Sequence, residues 1–243
     1  MFIKMKKCIR INFLILCFVI ITQSVVAQSI IAQGGIYVPF PKKRIQDKSL
    51  RLAMTSGYAY RLGNLYESGN PDLDKFSENI RHGFHLDGEL QYLFHKDFGL
   101  GIIVNHIRQS ASAEDIRLPG AFHPVDFYKE TQAITFLGPT LIGRGENKKW
   151  LFAVSGGTGP IFFHSKMTDK NKKVIGTAVS WGINSGMGVQ YKFSYNFAAG
   201  LKFSITGGAT KSIMVEKKNV YDAPTPFSLA NIMLSAYCSF RLN

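Results

Sequence analysis

The sequence predicts an all-β protein whose eight antiparallel strands follow one another in an up-and-down β-barrel. Successive segments alternate apolar and polar residues with a period of two, as strands with two different faces do. Gly (23), Phe (19) and Tyr (10) are abundant, which favours pleated sheets with tight bends over helices. At 243 residues, with hydrophobic residues at 46%, the chain suits one domain and is too polar for a helical membrane bundle.

The N-terminal segment has the pattern of a secretory signal peptide. An apolar run over residues 11–21 follows four basic residues and leads to small residues ending at Ala27. The run is shorter than the roughly 20 residues a transmembrane helix needs. We therefore expect cleavage after Ala27, an irregular leader over residues 28–48, and a barrel domain over residues 49–243.

Removal of residues 1–27 lowers the formal charge by four, from +13 to +9, and leaves a single cysteine, Cys238. No intrachain disulfide is then possible, so burial and hydrogen bonds must hold the fold. A basic exported chain could bind anionic lipid, polysaccharide or nucleic acid. No nucleic-acid motif is present and the charges are scattered, which favours solvated loop charge and no nucleic-acid partner.

The strands are predicted in order from this alternation. Strand one covers residues 50–62, and residues 81–107 form a complete hairpin that turns at residues 95–97. The others are residues 127–143, whose looser period suggests a bulge, and residues 150–163, 174–191, 197–206 and 230–242. Long connections over residues 63–79, 109–126, 165–173 and 211–226 alternate with short turns, which places all the long loops at one rim.

Aromatic residues gather at the predicted strand ends in two belts. The belt at the short-turn rim comprises Tyr92, Phe94, Phe98, Trp150, Tyr191, Phe193, Tyr195, Phe197 and Phe240. The belt at the long-loop rim comprises Tyr58, Tyr60, Phe84, Tyr128, Phe162, Phe163 and Phe227. Two aromatic belts around an apolar band are typical of membrane barrels, whereas a soluble core would need no such placement.

These features together resemble the small outer-membrane β-barrel family of Gram-negative bacteria, of the OmpA/OmpX type. The resemblance is carried by the signal peptide, the alternating strands, turns such as FHKDFG and YKFSYNF, and the closing strand ANIMLSAYCSFRLN. It implies an integral outer-membrane protein whose partners are outer-membrane lipid, the assembly machinery and surface molecules met by the loops, and which is a monomer. One departure is that Phe240 is followed by Arg241, Leu242 and Asn243, whereas such proteins typically end on an aromatic residue.

If the apolar faces meet lipid, the polar faces point inward and their charges are expected to pair. The predicted interior charge network comprises Arg51, Arg61, His85, Asp87, Glu89, Lys202 and Arg241. Asp87 and Glu89 lie on one face two residues apart, a spacing that acid/base catalysis could also use. Structural ion pairing is the favoured interpretation, so no catalytic residue is assigned.

Other chemistry finds little support. His164 and Ser165 could suggest a lipid-modifying hydrolase, but adjacent strand residues point to opposite faces. The six histidines lack zinc spacing, and the segments SGGTGP and ITGGAT lack the Lys and Ser/Thr of a phosphate loop. We expect no enzyme activity, metal or cofactor.

Three functions remain open. A structural or surface-interaction barrel leads, followed by a narrow channel for small solutes and a soluble lipocalin-like carrier, because alternation alone does not say which face is inside. The carrier lacks the disulfide pair and the early Gly-x-Trp signature that it would need. The lipid-modifying hydrolase has the least support.

Overall fold

The structure is a computed structural model that describes residues 48–63, 71–116, 125–169, 172–216 and 219–242. The predicted signal peptide and nearly all of the predicted leader lie outside the described residues. The elements are β1 (Ser49–Arg61), α1 (Pro71–Asn79), β2 (His82–Leu93), β3 (Phe98–Ile116), β4 (Val125–Glu146), β5 (Trp150–Asp169), β6 (Lys172–Lys192), β7 (Phe197–Val215), β8 (Asn219–Ser228) and β9 (Asn231–Arg241). No helix among the described residues is long and apolar enough to span a membrane.

The strands close into a barrel, and the stagger of the closure fixes its geometry. Strands β1 to β7 pair antiparallel in chain order, β7 also pairs with β9, and β9 pairs with β1. Following register partners once around the barrel leads from Arg51 to Arg61 on the same strand, a stagger of 61 minus 51, or 10 residues. With about 3.3 Å per residue and eight strands about 4.8 Å apart, the strands tilt by about 41°.

The eighth barrel position is shared by two strands. Both β8 and β9 pair with β7, and Leu229 and Ala230 interrupt them. The prediction of eight antiparallel strands in up-and-down order is confirmed, with this interruption added. The bulge predicted in the fourth strand is wrong: β4 keeps one register with β3, whereas the shifts lie in the β6–β7 and β7–β8 ladders.

The predicted long loops are mostly strand. The ladders reach Ile116 with Val125, Asp169 with Lys172, and Val215 with Asn219. The 22 residues of β4 span about 70 Å along the strand and about 50 Å along the barrel axis. The loop prediction fails because these hairpins are rich in polar residues and do not alternate regularly between apolar and polar, so backbone pairing forms strands there without the pattern that marks a strand in sequence.

We call the half of the barrel at the short-turn rim the lower half and the half at the long-hairpin end the upper half, and name the two aromatic belts accordingly. In the lower half, the apolar faces of the strands point outward. Among the described residues, 35 large hydrophobic side chains are exposed, whereas Arg61, His85, Asp87 and Glu89 are at most 2% exposed. Of the nine side chains of the predicted lower belt, eight are exposed and Phe197 is half-buried, while Tyr195 lies in the β6–β7 turn with its ring against Arg241. In the upper belt Tyr128, Phe163 and Phe227 are corrections. Tyr128 and Phe163 are buried inside, and the half-buried Phe227 packs against the interior apolar cluster and the Arg61 guanidinium. Phe162 and Phe163 are adjacent, so only one of them can face out. Trp181, 68% exposed, belongs to that belt and was missed.

The interior is layered rather than uniformly polar. A buried apolar cluster crosses it, formed by Ala59, Ile103, Ile107, Ile134, Phe136, Ile161, Phe163, Ala178, Leu229 and Met233. Above this layer, α1 turns Phe76 and Ile80 onto Ala111 and Tyr128 in a second buried cluster. The Phe76 and Tyr128 rings meet edge to face at 5.2 Å. The helix therefore caps the interior at the long-hairpin end.

Candidate functional site

The middle of the lumen holds a buried ion cluster. Lys202 on β7 places its Nζ 3.4 Å from Oδ2 of Asp87 on β2, and both side chains are at most 4% exposed. His85 Nε2 lies 3.7 Å from the same oxygen and is also within hydrogen-bond reach of the hydroxyls of Thr55 (3.3 Å) and Ser235 (3.2 Å). The cluster thus joins strands that closure brings together across the lumen.

Glu89 and Tyr237 continue this cluster toward the short turns. Glu89 accepts hydrogen bonds from Gln91 Nε2 (2.8 Å) and Thr140 Oγ1 (2.7 Å), so its carboxylate is held without an arginine. The Tyr237 ring lies 5.6 Å from Lys202 Nζ, a cation–π arrangement. A Cβ on Gly188 would meet that ring at 2.7 Å, so the glycine makes room for the tyrosine.

A second group of charges lies inside the short-turn rim. We call Arg51, Arg144, Lys192 and Arg241, which lie around Glu146, the rim cation cluster. Glu146 Oε2 lies 3.7 Å from an Arg51 nitrogen and also contacts Arg144, while Lys192 Nζ lies 3.1 Å from Oε1. The Arg241 guanidinium stacks over the Tyr195 ring at 4.6 Å.

Arg144 and Glu146 are absent from the predicted interior charges because residues 144–149 were predicted to form a turn. The signal was present: Thr140, Ile142, Arg144 and Glu146 share one face of β4, and Thr140 and Ile142 are buried on it. Extending the predicted strand, which ends at residue 143, by three residues would have placed both charges inside the barrel.

A third cluster lies above the apolar layer. Arg61, fully buried, donates a hydrogen bond to Gln132 and lies 5.1 Å from the Phe227 ring. Gln132 in turn donates to Glu130 (2.5 Å), which also accepts from Ser165 Oγ at 2.9 Å. This arrangement ties β1, β4 and β5 together near the level of the capping helix.

The seven residues of the predicted network therefore occupy separate places. His85, Asp87 and Lys202 are brought together, with Glu89 nearby and held by neutral donors. Arg51 and Arg241 lie in the rim cation cluster, and Arg61 lies in the upper cluster. The apolar layer separates Arg61 from the acids on β2, so one continuous network does not form among the described residues.

The outer surface carries a basic patch just above the apolar band. Register places Arg108 on β3 and His164 on β5 on either side of Ala133, and Ser110 and Lys166 on either side of Thr131. The patch consists of His106, Arg108, Lys129, His164 and Lys166, all of which are exposed. No acid side chain faces outward among these rows, so this stretch of the surface is positively charged.

His164 and Ser165 are not arranged as a catalytic pair. His164 points outward, whereas Ser165 is buried in the lumen and bonds Glu130, so the two form no nucleophile–base pair. Within the part of the chain that the structure describes, no three His, Cys, Asp or Glu side chains are grouped to hold a metal ion. Cys238 is a free, half-buried thiol.

Comparisons with known proteins identify the fold. No family model matches the chain, and no curated protein matches its sequence. The Neisserial surface protein A has a TM-score of 0.51 and 10% identity, covering 80% of this chain and 99% of its own.

Two further solved structures align less closely. The outer membrane protease OmpT from Escherichia coli has a TM-score of 0.44 and 10% identity, over 81% of this chain and 95% of its own. The attachment invasion locus protein Ail of Yersinia pestis has a TM-score of 0.40 and 13% identity, over 79% and 97%. At 10% identity, the likeness to Neisserial surface protein A establishes the fold alone, which is that of small outer-membrane β-barrels.

Proposed function

We propose that this chain, which has the fold of the small outer-membrane β-barrels, is an integral outer-membrane protein with a structural and surface-interaction role. Its partners are outer-membrane lipid around the barrel and surface molecules met by the long hairpins. The observation that carries the proposal is the reversal of the usual burial pattern, with large hydrophobic side chains outside and charged side chains inside. Monomeric soluble proteins rarely expose so large an apolar surface to water.

A soluble carrier accounts poorly for this pattern. A lipocalin-like barrel keeps its apolar faces inside to line a ligand cavity, whereas the lumen of this barrel holds Asp87, Lys202 and Arg61. The outward faces of the lower strands carry Leu90, Ile102 and Leu141, each at least 46% exposed. Lipid is the solvent that fits such a surface.

A solute channel is also disfavoured, because side chains fill the lumen. The apolar layer around Phe136 and Ile107 crosses the interior, and Phe76 of α1 and Ile80, which follows the helix, close the end above it. An eight-stranded barrel is just wide enough for its interior side chains. We expect no conductance above background in planar bilayers.

The hairpins beyond the apolar band support contact with surface molecules. The apolar core of a bilayer is about 30 Å thick, so strands that span about 50 Å along the axis project roughly 20 Å beyond it. Paired strands hold that projection rigid, and rigid surfaces bind at a lower entropic cost than loops. The basic patch around Arg108 and Lys166 lies where anionic lipid headgroups would meet the barrel.

Two tryptophans allow a direct test of the membrane placement. Trp150 pairs with Tyr191, which is 10 residues along β6 from Trp181, so the two indoles lie about 25 Å apart along the axis. Both are exposed and they occupy opposite belts. In bilayers containing brominated lipids, Trp150→Phe and Trp181→Phe variants should both be quenched strongly by bromine near the headgroups and less by bromine at the bilayer centre.

The same preparation separates the alternatives. The proposal also expects the protein in the detergent-extracted outer membrane, with heat-modifiable migration on a gel. A soluble periplasmic product whose tryptophans are insensitive to brominated lipid would overturn the membrane placement. Quenching of only one tryptophan would contradict the two-belt arrangement.

A further inference from the structure

The charges of the rim cation cluster do not balance. Arg51, Arg144, Lys192 and Arg241 bring four positive charges, and Glu146 brings one negative charge, which leaves three in excess. The side chains of Arg51 and Arg144 are each only 6% exposed. Leu151, the cross-strand partner of Glu146, is 3% exposed, so part of the wall is apolar. Burial of unpaired charge in such surroundings is costly.

The arrangement of the arginines adds repulsion. Arg51 and Arg241 are direct partners in the β1–β9 ladder, and both face the lumen. Like charges directly opposite one another in a ladder are destabilising. Both also repel Arg144. The neighbouring acid Asp97 is 42% exposed and is 3.8 Å from Lys96, so it offsets little of the excess.

The donors of the cluster are not all used within the protein. The Nε–H groups of Arg51, Arg144 and Arg241 are buried and have no hydrogen-bond partner among the described residues. Glu146 is shared by three of the cations, which leaves its oxygens fully engaged. Three buried guanidinium Nε–H groups of the cluster therefore lack an acceptor among the described residues, whereas the Lys192 ammonium donates to Glu146 Oε1 and to the Asn147 carbonyl oxygen, both at 3.1 Å.

We propose that the rim cation cluster binds a phosphate-class oxyanion inside the short-turn mouth of the barrel. Guanidinium groups present planar forks that match the oxygens of phosphate, and Lys192 adds a flexible point charge. A bound anion of charge −1 to −2 would offset one to two of the three excess charges and accept hydrogen bonds from the free Nε–H groups. The ligand chemistry is a phosphate group, supplied either by free phosphate or by a phospholipid headgroup at that rim.

The experiment measures anion binding to the full barrel folded in maltoside micelles, which contain no phosphate. Calorimetric titration with inorganic phosphate, at constant ionic strength in chloride, should give saturable binding of one anion per chain. Short-chain phosphatidic acid forms a second arm: tighter binding of the lipid assigns a headgroup, and equal or weaker binding assigns the free anion.

Charge variants give opposite expected signs. Arg144→Gln should weaken phosphate binding at least tenfold, whereas Glu146→Gln should tighten it, because it removes the competing carboxylate. Lys211→Gln is the matched control, since Lys211 is an exposed cation on β7 outside both the rim cation cluster and the basic patch, and it should leave binding unchanged.

Three results would overturn the proposal. They are no saturable phosphate binding by the unmodified protein, weaker binding by Glu146→Gln, and an equal loss in Lys211→Gln and Arg144→Gln. If Arg144→Gln does not fold, Arg241→Gln takes its place, and the sign of the Glu146→Gln effect still decides. The inference concerns only the lumen, so it stands or fails independently of the surface role.

Discussion

Replacing Asp87 by alanine should destabilise the barrel through the charge that it leaves behind. The Lys202 ammonium, 4% exposed, has Asp87 Oδ2 at 3.4 Å as its ion-pair partner. Removing one member of a buried pair typically costs about 3–5 kcal/mol, because the other charge remains buried. Glu89 lies close enough to attract Lys202, so we expect the lower end, about 3 kcal/mol. This corresponds to a change of roughly 10²-fold in the unfolding equilibrium.

The assay is reversible urea unfolding in lipid vesicles, followed by tryptophan fluorescence. Glu114→Ala is the control, since Glu114 is an exposed acid on the outer face of β3 and its loss should change the free energy of unfolding by less than about 0.5 kcal/mol. The double variant Asp87→Ala/Lys202→Met removes both charges and should recover much of the loss. A loss below about 0.5 kcal/mol for Asp87→Ala, or a double variant less stable than the single one, would refute the argument.

Two further predictions concern packing. Gly188→Ala should lower the free energy of unfolding by about 1–3 kcal/mol in the same assay, because its Cβ would lie 2.7 Å from the Tyr237 ring. Gly88→Ala, whose Cβ would have nothing within 4 Å, should be nearly neutral, and equal effects of the two substitutions would contradict the packing argument. Phe76→Ala should destabilise the packing of the helical cap by about 3 kcal/mol, since Phe76 is 2% exposed and its ring packs against Tyr128. It should also speed tryptic cleavage around α1. Unchanged cleavage would mean that the helix is not held by this contact.

The sequence predicts the lower half of the barrel well because one face of each strand is apolar there. Leu86 and Asp87 differ so strongly in polarity that their alternation marks both the strand and its two faces. The same reasoning placed Lys202 and Asp87 inward on different strands. Their contact across the lumen could not be predicted, since it depends on the stagger of closure, which no single strand reveals.

The upper half escaped prediction for two physical reasons. Where both faces carry polar side chains, as at the exposed Lys129 and the buried Glu130, pairing continues without an apolar face to mark it. Where both faces are apolar, as at Phe162 and Phe163, composition does not say which side chain enters the interior. The apolar layer around Ile107 was missed because an isoleucine on an otherwise polar face looks like an exception in the sequence.

The partnership of Arg51 with Arg241 bears on the order in which the barrel assembles. These residues end the β1–β9 ladder, which joins the first strand of the barrel to the last and must therefore be completed after the hairpins between them. The opposite end of that ladder pairs Arg61 with Asn231, which brings no like charge. Closure should consequently begin at the Asn231 end and advance toward the two arginines, so that the final hydrogen bonds form against their repulsion.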